Sequence, residues 1–209
     1  MDRRIVLPGE KIAEGKFRIP NTYVEGENIY ATLVGFIDEN NRYVPIEKRY
    51  KPEPGELVVG VVTDARHAGY SVDLNLPTEG FISTKFMHAT LMLGDMVIAR
   101  IRSIERNGVI ELTDIKRLPK GKIVTFPSAK VPRLVGKQNS MLDIIKKYGG
   151  GDVVVGTNGY VWISEKANIP LILKVMELIE EKAHKRGLTD RVVDFFEKEK
   201  AARAQGKVI

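Results

Sequence analysis

Positively charged side chains are concentrated in one part of this 209-residue sequence. The window from Ile115 to Leu142 contains no acidic residue, and its charge of +7 exceeds the net charge of +6 on the whole chain. Its basic residues are Lys116, Arg117, Lys120, Lys122, Lys130, Arg133 and Lys137. Such a run is typical either of a solvated linker or of a segment that binds phosphate groups. We interpret it as a phosphate-binding segment, with the solvated linker as the alternative.

A second set of side chains has the types needed to hold a nucleic-acid strand. Aromatic side chains stack on bases, each stacked base being worth about 1–3 kcal/mol, while cations follow the phosphates. Between Gly55 and Arg117, the candidates are Arg66, His67, Tyr70, Phe81, Arg100, Arg102 and Arg106. Arg100 and Arg102 alternate with apolar residues and should face solvent. Tyr70 and Phe81 occupy positions where an aromatic residue is often part of the core, so a structural role is the alternative for both.

Two glycine-containing loops could bring the backbone close to a ligand. Gly136-Lys137-Gln138-Asn139 keeps the first glycine and a basic residue of a G-x-x-G loop, which clamps the sugar-phosphate chain in KH modules. Its fourth position is Asn139, whose side chain should obstruct close approach, and Asn139 or Ser140 could instead cap the following helix. In the second loop, Gly156, Asn158 and Gly159 predict a structural hairpin turn.

The elements that position these residues follow from hydrophobic periodicity. Residues 57–62, the alternating segment 70–76, and the segments 80–82, 96–103 and 109–112 predict five strands. Five strands in so short a stretch favour a small closed barrel of the OB type. After the basic window, we predict a strand at 123–126, a helix at 140–148, a hairpin at 152–163 and helices at 170–186 and 189–204.

The fold class is therefore multidomain β and α+β. We predict a small N-terminal β domain over residues 1–54, which is too small to bury much core and should pack on a neighbouring domain or dock on a partner protein. A five-stranded OB-fold barrel over 55–117 and a KH-like α+β domain over 118–187 follow, and 188–209 form a C-terminal helix or tail. Trp162 is expected to be core.

Composition excludes several classes of site. The chain has no cysteine, which excludes disulfides and thiolate zinc sites and favours an intracellular protein. It has no apolar run of membrane-spanning length, so we expect a soluble, cytoplasmic protein without a membrane partner. No Asp-x-Asp pattern or His pair at ligand spacing occurs, and Asp64, Asp73 and Asp95 should only shape turns. We therefore predict no catalytic residues, no metal and no cofactor.

The barrel segment resembles the S-one RNA-binding domain, a type of OB-fold. The resemblance rests on four stretches in order: Gly60-Val61-Val62, Glu79-Gly80-Phe81-Ile82-Ser83, Gly94-Asp95-Met96-Val97 and Ile110-Glu111-Leu112-Thr113. On that family's pattern the RNA face passes through His67, Tyr70 and Ser83, and the histidine that is usual near the last position is missing.

The whole chain resembles the archaeal exosome RNA-binding cap subunit of the KH-containing type. Supporting stretches are Val6-Leu7-Pro8-Gly9-Glu10, Val61-Val62-Thr63-Asp64 and Pro132-Arg133-Leu134-Val135-Gly136-Lys137. The resemblance implies a non-catalytic subunit that forms a trimeric cap, alone or mixed with another cap subunit, on a hexameric ring of RNase PH-type subunits. It also implies binding of single-stranded, adenine-rich RNA and delivery of its 3′ end. A ribosome- or translation-associated RNA-binding factor and a scaffold without RNA contact are the alternatives.

Overall fold

The computed structural model describes residues 4–17, 19–37, 41–45, 50–86, 90–183 and 187–204. The chain divides into two compact units, Met1–Arg49 and Tyr50–Ile209, which we call the N-terminal unit and the C-terminal unit. The predicted helix at 170–186 extends in part beyond the described residues, since 184–186 lie outside them.

The N-terminal unit consists of two small antiparallel sheets, each with three strands. The first has the order β1-β5-β6 and the second has the order β2-β4-β3. Their strands are β1 (Ile5–Val6), β2 (Lys11–Glu14), β3 (Thr22–Glu25), β4 (Asn28–Ala31), β5 (Gly35–Ile37) and β6 (Tyr43–Pro45). The buried core residues here are Val6, Ile29 and Ala31. This small core agrees with the expectation from sequence.

The first part of the C-terminal unit is a closed five-stranded barrel with the order β10-β11-β9-β8-β7. Its strands are β7 (Leu57–Arg66), β8 (Gly69–Asp73), β9 (Gly80–Ser83), β10 (Met96–Ile104) and β11 (Ile110–Arg117). The inward residues of each strand, such as Val62, Val72, Ile82 and Ile101, fill the barrel interior. The predicted OB-type barrel is confirmed.

The second part is an α+β domain with the sheet order β12-β14-β13. Its elements are β12 (Gly121–Thr125), α1 (Val131–Val135), α2 (Ser140–Gly149), β13 (Val153–Val155), β14 (Tyr160–Ser164), α3 (Ile169–Lys182) and α4 (Leu188–Ala204). Gly150 ends α2 in the left-handed conformation, with φ of 71°. Asn168 begins α3 by accepting a hydrogen bond from Leu171 N at 3.2 Å. The predicted KH-like domain is confirmed.

The helices pack on one face of this sheet. Val161 and Ile163 of β14 share a buried cluster with Ile172 of α3, and Val192 and Phe196 bring α4 into the same core. The terminal helix is therefore an integral layer of the KH-like domain. Because side chains alternate along a strand, Trp162 lies on the opposite face, where it is 2% exposed. Its predicted core position is confirmed.

The basic window contains far less linker than predicted. Strand β11 runs to Arg117, which pairs with Val97 of β10, and β12 begins at Gly121. Only the short segment 118–120 connects the barrel to the KH-like domain. The alternative interpretation as a linker is wrong for residues 113–117, because β11 continues past Leu112 across an irregularity at Asp114, whose φ is 52°.

Among the helices of the described residues, none combines the length and the apolar character needed to cross a membrane.

Candidate RNA-binding surface

The first candidate surface lies at one end of the barrel. Arg66 and His67 are exposed at the turn between β7 and β8. Gly69 of β8 pairs with Ser83 of β9, which places Ser83 at the same end as this turn. The hydroxyl of Thr84 donates a hydrogen bond to the His67 carbonyl at 3.3 Å. The structure therefore places Arg66, His67 and Ser83 at one end of the barrel, and their contact with RNA stays a prediction.

Tyr70 does not belong to this exposed surface. Its side chain is 8% exposed and lies within the barrel core, and its hydroxyl accepts a hydrogen bond from Leu91 N at 3.3 Å. The burial contradicts the predicted contact between Tyr70 and RNA, because no ring face is open for a base to stack on. The signal was already in the sequence, since Tyr70 has the same parity as the buried Val72 and Leu74.

Phe81 is the aromatic residue that points outward here. It pairs with Ser71 of β8, whereas its neighbours Gly80 and Ile82 are buried. A Cβ atom at Gly69 would lie only 2.6 Å from the Phe81 ring, so the ring packs closely against the glycine. Phe81 is half-buried, so its contact with RNA stays a prediction and a structural role stays the alternative.

The arginines of β10 lie away from this surface. Leu57 pairs with Arg100 and Val61 pairs with Met96, so Arg66 lies beyond the Met96 end of the ladder while Arg106 lies beyond the other end. The Arg100 guanidinium donates to the Gly55 carbonyl and lies 3.6 Å from the Asp114 carboxylate, which gives it a structural partner on each side. Arg102 and Arg106 are exposed. The predicted cations therefore fall at opposite ends of the barrel.

The second candidate surface follows the connection between the barrel and the KH-like domain. Lys116, Arg117, Lys120 and Lys122 are all exposed. Arg117 lies 2.8 Å from the carboxylate of Asp95 and is partly neutralised by it. The other three have no ion pair within the described part of the chain. Their charge is available to an external anion.

The third candidate surface is the loop between α1 and α2. Gly136 has φ of 75°, and a Cβ atom there would lie 2.7 Å from Met141 N, so a glycine is required. Gln138 and Asn139 also have left-handed backbones, with φ of 51° and 64°. Asn139 occupies the N-cap position of α2 without a side-chain hydrogen bond to the helix. Asparagine is tolerated in the left-handed conformation, so Asn139 preserves the backbone shape of the loop. Its side chain fills the space that a glycine at this position would leave open. Lys137 is exposed.

The loop at residues 156–159 is a turn, with Gly159 at φ of 85° and Gly159 N bonded to Gly156 O at 3.1 Å. It also joins the two domains. Asn158 is 2% exposed, and its amide nitrogen donates to Val59 O at 2.7 Å and to Leu74 O at 2.8 Å. Its side-chain oxygen accepts from Val59 N at 3.2 Å. One amide therefore pairs with the backbone of β7 and of the residue that follows β8.

Further hydrogen bonds surround this contact. Thr157 N donates to Leu57 O at 2.9 Å, and the Tyr160 hydroxyl donates to Asp73 Oδ2 at 2.5 Å. Burial first, and then the bond to Asp73, raise the pKa of Tyr160 from its ordinary 10.0 to about 12. Because folding holds this proton more tightly, the contribution of the contact is complete below pH 10 and is lost as the pH rises through about 12. Sequence reasoning found the turn but not the domain contact, since the partners of Asn158 are distant in sequence.

The three aspartates considered as possible metal ligands each have local partners. Asp64 accepts from Ala65 N and Arg66, and Asp73 accepts from Asn75 N at 2.9 Å. Asp95 accepts from Met92 N at 2.9 Å. All three shape turns or strand ends, as expected from the sequence.

Comparison with known proteins assigns the chain to a family. A family model described as the N-terminal domain of the exosome RNA-binding protein Rrp4 matches residues 3–46, and a KH domain model matches residues 121–168. The exosome complex component Rrp4 of Pyrococcus furiosus is 34% identical, over 91% of this chain and 81% of its own length. The chain belongs to the Rrp4 family. The resemblance stated from the sequence is thereby confirmed.

Other members of the Rrp4 family match over similar lengths. Exosome complex component Rrp4 of Thermococcus kodakarensis is 32% identical over 92% of this chain and 84% of its own. That of Methanosarcina barkeri is 29% identical over 99% of this chain and 86% of its own. A crystal structure of a candidate exosome complex RNA-binding protein superimposes with a TM-score of 0.65 at 26% identity, covering 75% of this chain and 99% of that one. The relatives are components of the exosome.

Proposed function

We propose that this Rrp4-family chain is a non-catalytic RNA-binding cap subunit of the exosome. The observation that carries the proposal is the joining of barrel and KH-like domain by Asn158, with unpaired cations on the connection between them. Two modules of types that bind single strands are thus held at a fixed separation. When one module has bound the strand, the second module binds it without a further large loss of translational and rotational entropy. Two weak contacts on one strand therefore give strong binding.

The cap directs a strand toward another protein's active site. In this proposal three copies, alone or mixed with another cap subunit, sit on a hexameric ring of RNase PH-type subunits. They bind single-stranded, adenine-rich RNA and deliver its 3′ end, which increases 3′-to-5′ degradation by the ring. The relatives are named as exosome components, which supports association with the ring. The exposed lysines support the binding of a polyanion such as RNA.

The N-terminal unit is proposed to dock on the ring. Several of its apolar side chains are exposed, namely Ile5 at 63%, Leu7 at 58% and Phe17 at 55%. Replacing Leu7 and Phe17 by aspartate should weaken association with the ring more than about tenfold, since apolar anchors dominate interface energies. Size-exclusion chromatography of the mixed components measures it.

The matched control for docking lies in the C-terminal unit. Met92 and Leu93 are each 66% exposed, and their replacement by aspartate should leave ring association unchanged. Equal loss in both variants, or undiminished association of the Leu7 and Phe17 variant, would refute docking through this surface. Both variants should retain RNA binding as isolated chains.

The loop at Lys137 provides a test of the KH-like half. Lys137→Glu should weaken RNA binding about fivefold near 0.1 M salt, because one phosphate contact changes the slope of log affinity against log salt by about 0.7. Lys198→Glu on α4 makes the same charge change on an exposed surface outside the three candidate surfaces. Unchanged affinity of the Lys137 variant would assign this half a structural role.

The non-catalytic assignment has its own test. The purified full chain should leave labelled single-stranded RNA intact over hours with magnesium or with phosphate present. Turnover that follows the chain through purification would identify an enzyme. A pull-down from native lysate tests the partner: ring subunits in the eluate support the exosome, and ribosomal proteins in their place support the translation-associated alternative.

A further inference from the structure

A cleft of about 440 Å³ lies in the angle between the barrel and the KH-like domain. The connecting segment 118–120 runs along it, and the first residues of β10, β12 and α3 complete its walls. Its volume is within the range of about 300–1,000 Å³ typical of small-molecule sites. It therefore has room for a ligand of nucleotide size, at the point where the chain passes from one module to the other.

The charge of the cleft favours an anion. Arg117, Lys120 and Lys122 line it, together with Asp95 and Glu165. The Asp95 side chain is only 11% exposed and is already paired with Arg117 at 2.8 Å. Lys120 and Lys122 have no ion pair within the part of the chain that the structure describes, and Glu165 is the one further carboxylate of the lining. Two free ammonium groups thus face one exposed carboxylate.

The wall between the two lysines is bare backbone. Glu165 N donates to Lys120 O, and Phe126 N donates to Gly159 O, so the alternate residue Gly121 directs its N–H away from β14. No strand of the described residues pairs with this outer edge of β12. A ligand can approach the main chain closely here, because Gly121 has no side chain.

A buried donor lies behind the same glycine. The indole Nε1 of Trp162 has no hydrogen-bond partner within the described part of the chain. A Cβ atom at Gly121 would lie 2.4 Å from this nitrogen, so the indole edge touches the glycine in the cleft wall. An unpaired buried donor is uncommon in native proteins and calls for an acceptor. Trp162 itself does not line the cleft, so this nitrogen lies behind the wall formed by Gly121.

We propose that the cleft holds one phosphate-bearing nucleotide of a bound RNA strand, which rests on the RNA-binding function proposed above. Lys120 and Lys122 contact the phosphate, and the apolar part of the wall, including Leu118, Pro119 and Ile169, receives the sugar and base. The strand thereby passes through the angle between barrel and KH-like domain. A free nucleotide has the same phosphate, sugar and base, and the experiment below distinguishes it from an RNA strand.

The test uses the full chain and single-stranded RNA that carries 4-thiouridine. Photocrosslinks in the wild type should map to the segment 117–122. Lys120→Glu combined with Lys122→Glu should abolish this crosslink and weaken binding more than tenfold. The control, Arg191→Glu combined with Lys198→Glu, makes the same charge change at exposed positions of α4 and should retain both.

Two results would overturn the cleft assignment while leaving the proposed function intact. One is wild-type binding with crosslinks only outside 117–122, and the other is undiminished affinity of the cleft variant. Failure of the wild type to bind RNA at low salt would instead overturn the proposed function as well. Trp162, the sole tryptophan, reports on occupancy by fluorescence. A change with RNA but none with millimolar adenosine monophosphate supports the strand, and saturation by the monophosphate without an RNA crosslink would assign the cleft to a free nucleotide.

Discussion

Replacing Asn158 by alanine is expected to destabilise the C-terminal unit by about 3–5 kcal/mol. The substitution removes three hydrogen bonds and leaves the N–H and carbonyl of Val59 and the carbonyl of Leu74 without these partners. Each buried backbone group left unsatisfied costs about 1–3 kcal/mol. The lower part of the summed range applies because water can enter the opened interface.

Urea denaturation followed by Trp162 fluorescence measures this effect. Trp162 is buried on the sheet face opposite the helices, so its environment changes when the KH-like domain unfolds. We expect the barrel and the KH-like domain to unfold in separate transitions once the contact is lost. Asn168→Ala is the matched control: it removes one helix cap, with a cost of about 1 kcal/mol. A change below 1 kcal/mol for Asn158→Ala with a single transition would show that the turn does not join the domains.

Replacing Lys116, Arg117, Lys120 and Lys122 together by alanine is expected to flatten the salt dependence of RNA binding. For single strands the slope of log affinity against log salt is about −0.7 for each phosphate neutralised. Arg117 is partly neutralised by Asp95, so about three effective contacts are lost and the slope should fall by about 2. If only the slope changes, affinity near 0.1 M salt falls about a hundredfold relative to the wild type.

Fluorescence anisotropy with a labelled oligoribonucleotide at several salt concentrations provides both numbers. An alanine variant of four exposed basic residues elsewhere, Lys51, Lys147, Arg191 and Lys198, loses the same charge and should keep most of the slope. If the two variants behave alike, the connecting segment is an ordinary solvated surface, and binding responds only to net charge.

The architecture could be predicted wherever a local pattern determined it. Strand alternation in 70–76 and the helical spacing after Ser140 placed the barrel and the KH-like domain correctly. The length of the last barrel strand, predicted as 109–112, could not be determined, because basic residues at a strand end look the same in sequence as basic residues in a linker. The pairing of Arg117 with Val97 shows that the last barrel strand continues to Arg117, and this pairing joins residues that are distant in sequence.

The candidate site was predictable to a smaller extent. The exposure of the lysines follows from residue type, because a charged side chain is most stable in water. The left-handed loop at Gly136 also follows from residue type, because glycine permits positive φ. Strand alternation already indicated that Tyr70 points into the barrel. It was nevertheless predicted to contact RNA because its side chain is aromatic. The role of Asn158 required knowledge of its partners on β7 and after β8, which no local pattern carries.

The most direct test of the account is the binding of a labelled single-stranded oligoriboadenylate to the full-length chain at low ionic strength, with the RNA recovered and sized afterwards. The account predicts saturable binding that weakens steeply with added salt and RNA of unchanged length. Absence of binding by both the isolated chain and its assembly with the ring would contradict it.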